Sequence, residues 1–134
     1  MIEKIEHNST LLAIIIRANY KSDGIAFFTP GDFSQQLGYM NRNKGYIIEP
    51  HIHRIVERKV TLTQEVLYIK TGKVLINFYD DDQKYLEHRI LEKGDVILLA
   101  NGGHGFEMLE DTEMIEIKQG PYIGDEDKVR FKVD

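Results

Sequence analysis

Gly45–Gly72 reads GYIIEPHIHRIVERKVTLTQEVLYIKTG, and the fold turns on how this stretch divides. His51 and His53 are separated by one residue. A β-strand sends alternate side chains to one face, so imidazoles at i and i+2 can converge on one ion. The spacing predicts a strand over residues 46–54, with Pro50 marking a sheet edge or a bulge. Glu65 opens EVLYI, within a second predicted strand over residues 60–70. Far downstream, NGGHGFEML carries His104. Two histidines, a carboxylate and a third histidine form a nitrogen and oxygen ligand set for a first-row divalent ion, if the fold gathers them.

Outward from this stretch the chain reads as short strands between turns. Residues 1–9 look like a polar lead-in, with His7 in solvent. Strands are predicted over residues 10–18 and 25–29, separated by the turn NYKSDG, and over residues 34–41 before the turn NRNKG. Beyond Gly72 the pattern predicts strands over residues 74–79 and 85–91, flanking an aspartate-rich hairpin turn, and over 96–100, 104–109 and 113–118. About ten short strands and no sustained 3.6-residue periodicity predict an all-β sandwich or barrel, one domain over residues 1–134 with few or no helices. Residues 119–134 are polar and charged apart from Val129, Phe131 and Val133, an alternation that fits an edge strand or a dimer contact.

Composition narrows the function. Net charge is −5 and the cations form no patch, which argues against nucleic acid. No apolar run approaches the ~20 residues that span a bilayer, so no membrane association is expected. The longest, LLAIII at Leu11–Ile16, reads as a buried strand, with no signal-peptide flanks. With no cysteine, thiol catalysis, disulfides and thiolate metal sites are excluded, leaving histidine and carboxylate as strong ligands. A cytoplasmic location is the expectation.

The residues in and after this stretch resemble the cupins, whose first motif is G-x5-H-x-H-x3-4-E-x6-G. Gly45, His51 and His53 match its opening, and Glu65 with Gly72 matches its close. Eleven residues stand between His53 and Glu65 where the family has three or four. The second motif, G-x5-P-x-G-x2-H-x3-N, is met by Gly94 and Gly102, with Ala100 for the proline, His104 one position early and Met108 for the asparagine. The resemblance covers residues 45–108 and implies a small jelly-roll β-barrel. Glu57, four after His53, would share the histidine face but lie ~13 Å along a continuing strand. Glu65 is therefore the expected fourth ligand and the extra residues a longer hairpin.

In this reading His51, His53, Glu65 and His104 hold a divalent ion (Fe, Mn, Ni or Zn) with two positions open to a small oxygenated substrate. Glu57, Phe106 and Met108 shape the pocket, and Glu49, two before His51 on the same face, is the candidate general base. His88 is read as structural and Asp95 as a turn residue. The resemblance offers a range of activities: isomerases or epimerases of sugar derivatives, iron-dependent dioxygenases, and non-catalytic carbohydrate-binding barrels. The first is the leading expectation. The resemblance and the strand edges of a jelly roll together imply a homodimer, with the predicted strands at 10–18 and 25–29 as the partner contact.

Overall fold

A strand such as LLAIII, with no polar alternation, must be covered on both faces. The computed structural model, which describes residues 1–133, places it so. Ten strands run β1 (Ile2–His7), β2 (Thr10–Ile16), β3 (Gly24–Phe27), β4 (Gly38–Asn41), β5 (Glu65–Thr71), β6 (Lys73–Tyr79), β7 (Tyr85–Glu92), β8 (Val96–Leu99), β9 (Gly103–Met108) and β10 (Glu113–Lys118). A single 3-10 turn, Gly124–Asp127, is the one helical element among the described residues. All pairings are antiparallel: a five-stranded sheet ordered β1-β2-β8-β5-β10, a three-stranded sheet β7-β6-β9, and the β3-β4 hairpin.

The two larger sheets face each other across one apolar core. Leu67 and Ile69 of β5 and Ile97 and Leu99 of β8 meet Val74, Ile76 and Phe78 of β6 and Leu91 of β7. The opposite face of the five-stranded sheet is covered as well. Ile14, Ile16 and Leu98 pack there with Leu37, Tyr20, Phe28 and Phe33. Tyr20 stands edge-on to both Phe28 and Tyr39, an arrangement that suits the aromatic quadrupole.

Polar bonds lock the corner where the chain enters β8. Asp95 is buried, and its carboxylate accepts from the backbone N–H of Ala18 and of Glu92, each at 2.8 Å, and from Arg17 Nη1 at 3.1 Å. Arg17 also donates to Glu3 on β1, which Arg89 on β7 reaches too, and the Arg17 guanidinium holds the Glu3 carboxyl below its ordinary range. The turn residue expected at Asp95 is thus a junction of three chain segments. Gly72, between β5 and β6, has φ of 93°, and a Cβ there would overlap the Asp111 carbonyl oxygen and the Thr112 side chain.

The structure corrects several expectations. Residues 46–54 form no strand: none of residues 42–64 is in a strand, and the whole of 43–62 is exposed. Pro50 removes a donor there, and Ile47, Ile48, Ile52 and Ile55 leave neither face polar, so the segment needs cover on both sides that the body does not give. The expected long hairpin before Glu65 is absent for the same reason. The lead-in pairs as β1, because Ile5 inserts into the core at 1% exposure, and His7 is half-buried. The predicted strand at 10–18 cannot be a partner contact, since β2 has neighbours on both edges and cover on both faces. Residues 119–133 contain no strand; Phe131 packs edge-on against Tyr79 while Val129 and Val133 stay exposed.

Asp95→Ala strands two backbone donors and a guanidinium, and is expected to lower the unfolding free energy by about 3 kcal/mol in urea denaturation. Ile97→Ala, at a fully buried position, should cost ~2–5 kcal/mol. A loss below about 1 kcal/mol for Asp95→Ala would show that this corner does not hold the strands.

Candidate functional site

The site grows from the first residue of β5. Alternation along β5 puts Glu65 on the same face as Leu67 and Ile69, which point into the core. Glu65 is itself 8% exposed. A carboxylate so placed needs partners, and two strands supply them. On β9, in the facing sheet, His104 stands opposite Phe78 of β6, whose side chain is buried, so its ring turns inward. Its Nε2 lies 2.9 Å from Glu65 Oε1. On β10, Lys118 pairs in register with Glu65, its Nζ 3.7 Å from Glu65 Oε2 and 3.7 Å from Glu116 Oε1.

The electrostatics follow from these contacts. The His104 hydrogen bond is the main cause that brings the Glu65 carboxyl down from 4.5 to about 2, with the Lys118 charge adding to it against the cost of burial. Glu65 is therefore an anion at neutral pH, and His104 Nε2–H is the donor. Glu116 moves the other way: the Glu65 carboxylate beside it, then burial, raise its carboxyl above the ordinary range. Two carboxyls pushed apart around one imidazole and one ammonium are an arrangement in which protons can be held and moved.

This group lies on a solvent-open cleft of about 950 Å³ that runs past β9. Asn77 and Tyr79 of β6, Phe106 of β9, and Ile123 and Phe131 of the C-terminal segment also line it. The hydroxyl of Thr63 donates to the Asp127 carboxylate, tying that segment to the residues just before β5.

The predicted site residues divide into two groups. Glu65 and His104 are together, as expected, and Phe106 lines the same cleft. His51 and His53 are also beside each other, ring centroids 5.3 Å apart, but on the exposed segment, where His51 Nδ1 bonds the Glu49 carbonyl at 2.9 Å. Glu49 and Glu57 are exposed on that segment, and Met108 is 47% exposed; none of the three borders the cleft. Among the described residues no group of three or more His, Asp or Glu side chains is gathered for a metal ion. One copy therefore brings Glu65 and His104 together, already bonded to each other and shadowed by a lysine, with the Glu116 carboxyl beside Glu65. That pair alone does not fit a divalent ion.

Glu116, Lys118, Asn77 and Tyr79 were not singled out by the sequence. EMIEIK at Glu113–Lys118 did hold a signal, because its charges alternate along a strand, but only the register against β5 aims them at Glu65. His88, read as structural, bonds the Tyr85 hydroxyl at 2.9 Å on the exposed side of β7. No helix among the described residues is long and apolar enough to cross a membrane.

Comparison with family models, with curated proteins and with solved structures gives no match, so variants must carry the test of this site. A carboxyl held lower in the folded than in the unfolded chain stabilises above its unfolded value, and that stability is lost as pH falls through the folded one. The wild-type protein should accordingly be about 2 kcal/mol more stable than Glu65→Gln at pH 7. This margin should shrink between pH 4.5 and about 2 in denaturation followed against pH. An unchanged margin at pH 2 would show that the Glu65 anion is not its source.

Proposed function

We propose that this protein is a cupin-type barrel that binds a small oxygenated molecule, such as a sugar derivative, and isomerises or epimerises it by proton transfer. The observation that carries the reading is the buried Glu65 carboxylate bonded to His104 at the wall of a 950 Å³ cleft. A cleft of that size suits a small ligand, and a wall that mixes polar and charged side chains with Phe106, Ile123 and Phe131 suits an oxygenated one.

Glu65 is too acidic to be the base. Its role is to orient His104 through Nε2–H and to stabilise the imidazolium once His104 has taken a proton. His104 removes the proton from the carbon next to a substrate carbonyl, giving an enediolate. The Lys118 ammonium offsets the negative charge that develops on the oxygen. Return of the proton to the neighbouring carbon, with the hydroxyl proton passing from one enediolate oxygen to the other, gives the isomer; a proton delivered by water to the same carbon from the other face, with His104 giving its own to solvent, gives the epimer. The divalent ion implied by the cupin resemblance requires donors beyond Glu65 and His104. The chain carries the expected ones at His51 and His53.

The test is solvent exchange. Keto and hydroxy-keto sugars incubated with the protein in deuterium oxide should take up deuterium at the carbon beside the carbonyl, read by proton NMR. His104→Ala should slow uptake by roughly 10²–10⁴-fold, and Glu65→Gln should slow it while leaving ligand binding in place. Sugar binding with no exchange would overturn catalysis and leave a carbohydrate-binding barrel. Oxygen uptake by an iron-loaded sample would point to a dioxygenase instead.

A further inference from the structure

The exposed segment and the three-stranded sheet fit each other. Within residues 46–56, one alternate set is Ile47, Glu49, His51, His53 and Ile55, and the other is Tyr46, Ile48, Pro50, Ile52, Arg54 and Val56. The second set is largely apolar, and the first sets Ile47 and Ile55 beside Glu49 and the two histidines, so neither face is a plain solvent face. Yet Ile52 is 92% exposed and Ile55 fully so. Among the described residues no hydrogen bond joins residues 47–62 to the body.

The three-stranded sheet stops one strand short on the β9 side. Phe106 and Met108 stand opposite Ile76 and Val74 of β6, both buried, and therefore face inward. They nevertheless remain 39% and 47% exposed, because β9 is an edge with no strand paired beyond it among the described residues, the C-terminal segment reaching only its start, where Phe131 lies against Gly103. A strand laid along β9 would cover them and satisfy the free backbone groups of the edge. Charge agrees in sign: the segment carries Arg54, Arg58 and Lys59 against Glu49 and Glu57, while β9 with the turn after it carries Glu107, Glu110 and Asp111.

We infer that two copies of this chain exchange their arms, residues 45–62 of each seating as a fourth strand along the free edge of β9 in the other. The occupant is a second copy because the arm leaves its own body unengaged along its whole length. A two-fold axis makes the exchange reciprocal, with the same patch on both partners. β9 offers six residues, ~20 Å of edge at ~3.3 Å each, so about six residues of each arm pair with it. Pro50 is tolerated at the new sheet edge, where its missing N–H faces out. His51 and His53 share one face of the arm, so the face turned to the cleft can bring both to the partner's Glu65 and His104. The site divided in one copy is then assembled from two.

The inference rests on the edge and the arm, not on the proposed reaction, and is tested without metal or substrate. Isotope-labelled and unlabelled wild-type chains are unfolded together, refolded, and examined by gel filtration and by isotope-filtered NMR. The expected results are twice the single-chain mass and intermolecular contacts from the methyls of Ile47, Ile52 or Ile55 to Phe106 or Met108. A single-chain mass, arm contacts only within one chain, or intermolecular contacts confined to β10 would each overturn the exchange.

Discussion

A sheet with no polar face must be covered twice, and the architecture follows from that requirement. Strands β2 and β8 present Ile, Leu and Val to both sides. One side is closed by β6 and β7, the other by the β3–β4 hairpin with its aromatic residues. Burial of this kind, at roughly 25 cal/mol per Å² of apolar surface, offsets the entropy of ordering the chain. It also fixes register, since a slip of one residue would exchange the contents of the two cores.

Polar chemistry sits where the covering runs out. Gln64 and Glu65 are buried at the entrance to β5, beyond the last apolar residue of its inner face. A carboxylate at that place cannot reach bulk water freely, so it draws a donor from β9 and a cation from β10. The sheet that stabilises the protein thus also sets the charge of the site, and the same burial that lowers the dielectric strengthens both contacts.

Much of this was legible before the structure. The turn signals and the period-2 runs located nine of the ten strands to within a few residues, and β1 was missed because Glu3, Lys4 and Glu6 masked the single buried Ile5. Glu65 and His104 were singled out through their spacing from Gly72 and Gly94, and the fold sets them 2.9 Å apart. The arm was not legible. Its β-branched residues and histidine pair read as a strand, and local propensity cannot reveal that a strand lacks a neighbour, since pairing is a property of the sheet. Lys118 and Glu116 were hidden for a related reason: which residue faces which across two strands is decided by register, not by either strand alone.

Gly72 joins the mechanical and chemical parts of the molecule. Its left-handed turn leaves room for Asp111 and Thr112, and Thr112 in turn bonds the backbone of Lys73. Strand β10 starts at the next residue, Glu113, and its far end carries Lys118. A side chain at Gly72 would lever the start of β10 off β5 and carry the displacement along a stiff strand. In a survey of substitutions, this glycine would imitate a loss of the charged residues while touching none of them, so proximity to the cleft is a poor guide to which positions govern it.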